Sequence, residues 1–189
     1  MKNTNLLALA FISFLTLNSC GEDKKNNTEE TATPMQNDTR MESEDSNLDD
    51  GKENGDAEFQ NKDLAAVYND YLDLKTALVN SEASEAKKEG EELLKSLEKT
   101  EGADSAIAAA EKIAANENLN EQRTAFSDLS AALETMIAGN LSSGEVYKQY
   151  CPMAFDGAGG YWLSSSEEVR NPYYGDKMLK CGRVEDTIK

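Results

Sequence analysis

Residues 118–139, with the sequence NLNEQRTAFSDLSAALETMIAG, have the pattern of one complete amphipathic helix. Asn118 and Glu121 have the spacing of a capping box at its start, with Asn in place of Ser or Thr. Gly139-Asn140 is typical of a helix end. The apolar residues recur every three or four positions, which places them on one face; they are Phe126, Leu129, Leu133, Met136 and Ile137. This helix therefore has one face to bury.

Three further amphipathic stretches precede it. The first ends at Asn80-Ser81, a second is expected over residues 82–99, and Asp104 is expected to cap a short alanine-rich third helix. In the first stretch Leu64, Tyr68, Tyr71, Leu74 and Leu78 share one face, and Asp63, Asn69, Asp73 and Lys75 lie largely on the other. In the second, small residues predict close approach by a neighbouring helix; they are Ala83, Ala86 and Gly90.

The predicted fold class is mainly α, an antiparallel bundle of about four helices over residues 61–140. Residues 141–189 predict a small irregular or β segment packed on the bundle, with a strand over residues 146–153 and another at Tyr161-Trp162-Leu163. A segment so rich in glycine and lacking a long helix is usually held by a disulfide or a metal.

The N-terminus predicts a lipoprotein. Leu6 to Leu17 form an apolar run that is too short to span a bilayer and fits a signal peptide over residues 1–19. Leu17-Asn18-Ser19-Cys20 resembles a bacterial lipobox, which implies lipidation of Cys20 after cleavage. Gly21 does not resemble the aspartate that retains lipoproteins at the inner membrane, so we expect an outer-membrane lipoprotein with the bilayer as a partner.

Residues 20–60 are predicted to be a lipidated, disordered acidic tether, and residues 61–189 a single domain. The tether holds almost nothing to bury, and such a composition cannot offset the entropy of ordering. The whole chain carries a formal net charge of −17. This acidity argues against nucleic acid as a partner.

Two sulfur pairs near the C-terminus are the candidate site, in a chain that contains no histidine. Cys151 and Met153 would share one side of a strand, and Met178 and Cys181 one side of a helical turn. Thiolate and thioether together favour a soft ion, so the four residues are candidate ligands for Cu(I) or Ag(I). The alternative is a disulfide between Cys151 and Cys181, which an oxidising envelope favours. Without histidine a Ser-His or Cys-His nucleophile pair is impossible, and we expect no enzyme.

Several motifs carry a resemblance to a known family. CPMAF at residues 151–155, GYWLS at 160–164 and NPYYGDKMLKCG at 171–182 resemble an uncharacterised domain family of Gram-negative bacteria. The helical sequence YLDLKTALV at 71–79 is similar to the same family, so the resemblance covers about residues 60–185. That family occurs as free-standing lipoproteins and at the C-terminus of periplasmic adaptor subunits of copper/silver RND efflux systems.

The resemblance implies heavy-metal handling and an efflux or envelope protein as partner. Cys151-Pro152-Met153 also looks like the core of short metal-binding segments in such adaptors. Those segments usually carry histidine after the methionine, whereas Ala154-Phe155 follows here.

Overall fold

A computed structural model describes residues 56–189 of the chain. The predicted signal peptide, Cys20 and the tether up to residue 55 lie outside these residues. Within residues 56–189, none of the helices has the length and apolar character needed to cross a bilayer.

Four long helices make up most of the fold, and consecutive helices contact each other. Their bounds are α1 Lys62–Val79, α2 Ala83–Leu97, α3 Asp104–Ala114 and α4 Leu119–Ile137. The prediction of a mainly α fold with about four helices and a small C-terminal β segment is confirmed. The predicted close approach has a clear physical basis at Gly90, because a Cβ there would lie 3.1 Å from Ile113 Cγ2 and 3.3 Å from the Ala114 nitrogen.

The start of α4 follows its sequence signal, and the start of α3 differs from its signal. The side chain of Asn118 accepts hydrogen bonds from the backbone nitrogens of Asn120 and Glu121, so it caps α4 as predicted. Asp104 was expected to cap α3, but it does not. It is the first helical residue, and the residue before it, Ala103, is buried and has no capping side chain. The Ala103 carbonyl already accepts the first helical hydrogen bond, from the Ile107 nitrogen, and the helix therefore begins at Asp104.

The C-terminal segment contains a three-stranded antiparallel sheet, in which the strand that comes first in the chain lies in the centre. A short strand β1, Glu58–Phe59, pairs with β2, Leu141–Ser143, in a separate ladder. The three remaining strands are β3 Val146–Cys151, β4 Gly160–Ser164 and β5 Arg183–Ile188. The Phe59 ring lies 5.3 Å from that of Tyr68, so ordered structure begins before residue 61, where the domain was expected to start.

The sheet is joined to the helices by buried polar contacts. The Leu163 nitrogen donates to the Tyr71 hydroxyl at 3.0 Å, and that hydroxyl lies 2.7 Å from Ser130 Oγ. Lys75, expected on the solvent side of α1, is only 1 % exposed and donates to Ser164 Oγ at 3.1 Å. The expectation was wrong because Lys75 lies one helical turn from Tyr71, so both side chains reach the end of β4 on the same side of α1.

Tyr71→Phe is predicted to lower the free energy of unfolding by about 1–3 kcal/mol, because it leaves the buried Leu163 N–H without its acceptor. The measurement is urea unfolding followed by circular dichroism. Tyr161→Phe is the matched control, since Tyr161 is 42 % exposed, and it should change stability by less than about 0.5 kcal/mol. Equal effects of the two substitutions would contradict the structural role of the Tyr71 hydroxyl.

Candidate functional site

The end of β3 brings the two C-terminal cysteines together. Cys151 is the last residue of β3, and Cys181 lies two residues before β5, which pairs with β3 through Tyr150 and Arg183. The two sulfur atoms are 3.3 Å apart, and both thiols are free. The sheet register, and not the sequence spacing, is what creates this pair.

Gly182 allows the chain to approach β3 closely enough for this contact. Its backbone φ of 149° is one that residues with a side chain rarely adopt. A Cβ at this position would also lie 2.9 Å from the Tyr150 carbonyl oxygen and 3.0 Å from the Trp162 ring. A glycine is therefore needed beside Cys181.

Asn171 holds the segment that carries Cys181. This residue is fully buried, and its side-chain nitrogen donates to the Cys181 carbonyl at 2.8 Å. Its side-chain oxygen accepts from the backbone nitrogen of Tyr173 at 2.9 Å, and its own backbone nitrogen donates to the Leu179 carbonyl. In the sequence, Asn171-Pro172 indicates only a turn. The turn signal was available, but the contacts of Asn171 with Leu179 and Cys181 depend on the tertiary structure.

The two methionines lie at the surface, and in the sequence both stand between the two cysteines. Met153 is 50 % exposed and Met178 is 40 % exposed, whereas Cys151 is fully buried. Within residues 56–189 no hydrogen bond joins a methionine sulfur to either thiol. The structure thus brings the cysteines together and leaves both methionine side chains partly exposed.

One expectation about these ligands is wrong and one holds. The strand that was expected to reach Met153 ends at Cys151, because Pro152 has no N–H for the ladder. Met153 has φ −89° and ψ −13°, so it does not share a strand face with Cys151. Met178 ends a short 3₁₀ helix, Gly175–Met178, and its carbonyl accepts from the Cys181 nitrogen at 2.9 Å, which is the turn that was predicted.

The contact between the thiols affects their ionisation. Hydrogen bonding with Cys151 raises the pKa of the Cys181 thiol, and burial raises it further. The Cys181 thiol is therefore harder to deprotonate than an ordinary cysteine.

Two chemical outcomes fit a sulfur separation of 3.3 Å. A disulfide requires about 2.05 Å, and a tetrahedral metal with bonds of about 2.3 Å requires about 3.7 Å between sulfurs. Each needs a small movement. The described residues contain no group of three or more His, Cys, Asp or Glu that could hold a metal. A metal at this pair would then depend on thioethers to complete its coordination.

Comparisons with known proteins identify one part of the chain. No curated protein and no solved structure matches it. Residues 67–144 match the model of one family. This stretch runs from α1 through α4 to β2, so Cys151 and Cys181 lie beyond the match. The helical region is thus similar to the uncharacterised domain described as "Protein of unknown function (DUF3347)".

Proposed function

We propose that this chain is an envelope lipoprotein that binds one soft monovalent ion, Cu(I) or Ag(I), in heavy-metal efflux or buffering. Thiolates of Cys151 and Cys181 form the centre of the site, and Met153 and Met178 supply thioethers. The observation that carries the proposal is the pair of free thiols 3.3 Å apart at the end of β3.

The donor set selects the kind of metal. Thiolate and thioether sulfur suit Cu(I), whereas Cu(II) usually requires imidazole, which this chain lacks. A structural zinc site uses four Cys or His ligands. The described residues offer two cysteines and no larger group of such ligands. Cu(I) and Ag(I) match what is present.

The position of the methionines suits capture of an ion from outside. A methionine side chain has three rotatable bonds and a polarisable sulfur. Met153 and Met178 stand in exposed turns, two and three residues from the cysteines in the sequence. Each can bind an ion at the surface and pass it inward to the buried thiol of Cys151. A site with exposed outer ligands fits transfer of an ion to another protein.

The second candidate is a disulfide-stapled interaction module that binds no metal. The same 3.3 Å separation favours it, together with the oxidising compartment that the predicted signal peptide implies. A bond from Cys151 to Cys181 would stabilise the fold by about 3–4 kcal/mol on the chain-entropy model. In this case exposed aromatic residues of the C-terminal segment, Phe155 and Tyr161, would contact an efflux or envelope protein.

A Cu(I) titration of the reduced full chain against a competing chelator separates the two functions. One equivalent should bind, and the double substitution Cys151→Ser/Cys181→Ser should abolish binding. Met153→Leu/Met178→Leu should weaken it at least tenfold, whereas Met136→Leu, in α4, is the matched control and should have no effect. A quantitative disulfide that resists mild reductant, with no metal uptake, would establish the second function instead.

The raised thiol pKa predicts the pH dependence of binding. Each thiol must lose its proton to bind the ion, so the affinity falls as pH falls, and the raised pKa of the Cys181 thiol extends this dependence to higher pH. Loss of two protons corresponds to about a hundredfold per pH unit, and chelator competition between pH 6 and 8 measures it. Cys181→Met keeps a sulfur donor without a proton and should reduce the slope to about tenfold per unit. A slope of zero in the unmodified chain would show that thiolates are not the ligands.

Lipid anchoring is proposed on the Cys20 signal, which lies outside the described residues. In a bacterial host the unmodified chain should be recovered with outer membranes and incorporate labelled palmitate. Cys20→Ser should remove both properties, whereas the control Cys151→Ser should retain them. If the chain carried palmitate at Cys20 but was recovered with inner membranes, the predicted outer-membrane location would be wrong and the predicted lipidation would stand.

A further inference from the structure

Arg123 is held in one orientation by three acceptors. Its Nε donates to the Pro172 carbonyl at 2.8 Å, and its Nη2 donates to the Leu78 carbonyl at 3.1 Å and to Ser81 Oγ at 3.0 Å. The side chain thereby joins the start of α4, the end of α1 and the segment that follows Asn171.

The positive charge of this guanidinium has no carboxylate partner among residues 56–189. Its third nitrogen, Nη1, likewise has no hydrogen-bond partner in this part of the chain. Burial lowers the pKa of Arg123, and no opposite charge offsets that effect. An unpaired, half-buried cation is costly, and it is unusual in a chain with a net charge of −17.

A cavity of about 300 Å³ lies beside this side chain. Aromatic rings of Phe155, Tyr173 and Tyr174 line it together with Arg123. The rings of Phe155 and Tyr173 are 4.9 Å apart in an edge-to-face arrangement. The cavity therefore combines one fixed cation with an apolar aromatic wall, a combination typical of small-ligand sites.

The aromatic wall is built at a cost in backbone energy. Phe155 has φ 52° and Asp156 has φ 56°, so two consecutive residues that are not glycine adopt the left-handed conformation. Residues with a side chain adopt this conformation only at a cost in free energy. Strain of this kind is concentrated at ligand sites, where it holds side chains in place. Here it puts Phe155 against Tyr173 and Asp156 on the cavity lining.

We propose that this cavity binds a monocarboxylate that carries an aromatic or other apolar group. The carboxylate accepts hydrogen bonds from Nη1 of Arg123, a charge-assisted contact that arginine makes well. The apolar group packs on Phe155 and Tyr173. The ligand is a small organic acid or the C-terminal carboxylate of a peptide, and this proposal does not rest on the metal site.

The lining also limits the charge of the ligand. Asp156 carries a carboxylate at the cavity, and a second negative charge on the ligand would be repelled by it. A dianionic phosphate should therefore bind less well than a monocarboxylate.

The test is calorimetric titration of the metal-free full chain with Cys151→Ser and Cys181→Ser, so that failure of the metal site does not affect the result. The probes are 3-phenylpropionate, its amide, acetyl-Gly-Phe with a free or amidated C-terminus, and inorganic phosphate. At least one free acid should bind at least tenfold more tightly than its amide and than phosphate. Binding of both free acids indicates a small-acid site, and binding of the peptide acid alone indicates peptide C-termini. Binding of the amides or phosphate as tightly as the acids, or binding of none of the probes at 10 mM, would overturn the proposal.

One variant that should weaken binding and one that should strengthen it distinguish an effect on ligand affinity from a loss of folded structure. Arg123→Gln should weaken binding of the free acid at least tenfold, whereas Arg183→Gln, whose side chain lies over the Tyr150 ring, is the matched control and should have no effect. Asp156→Asn should strengthen binding several-fold, because it removes a repelling charge, and Asn tolerates the left-handed conformation. A variant that had merely unfolded could not bind more tightly. Unchanged affinity in Asp156→Asn or in a folded Arg123→Gln would overturn the assignment of these residues.

Discussion

A chain of buried hydrogen bonds joins the sheet to the helices, and the rest of the structure depends on it. The Leu163 N–H donates to the Tyr71 hydroxyl, Tyr71 to Ser130, and the Ser130 hydroxyl to the Phe126 carbonyl. Burial raises the pKa of Tyr71 well above its usual value, so the hydroxyl keeps its proton and can both donate and accept. Because these groups are shielded from water, each would cost free energy if its partner moved. The orientation of β4 on the bundle is thereby set.

The position of the sulfur pair follows from this anchored strand. β4 pairs with β3, β3 pairs with β5, and Cys151 ends the central strand where the approach of Cys181 is fixed by Gly182 and Asn171. The thiols are therefore placed by backbone pairing and by a buried amide. The side chains of Met153 and Met178 are partly exposed, although hydrogen bonds from Tyr174 and Cys181 hold their backbone carbonyls.

The cavity at Arg123 is a second consequence of the same anchoring. Arg123 on α4 holds the Pro172 carbonyl, and Tyr173 follows directly, buried against Phe126 and Trp162. The Tyr173 hydroxyl donates to the Tyr161 carbonyl of β4. Helices, sheet and the 171–174 segment meet there, which explains why an aromatic wall and a fixed guanidinium occur side by side.

The sequence by itself determined the helices, because their signals are local. Periodic apolar residues, Asn118 as a cap and Gly139 as an end need only neighbours within a few positions, and α1, α2 and α4 lie where these signals predict them. It also predicted Cys151, Cys181, Met153 and Met178 as candidate ligands of a soft metal, and this stays a prediction. The burial of Lys75, the end of β3 at Cys151, the proximity of the thiols and the cavity at Arg123 were decided by the tertiary structure alone. Each depends on contacts between residues distant in the chain, such as Lys75 with Ser164, and spacing in the sequence carries no information about which distant residues will meet.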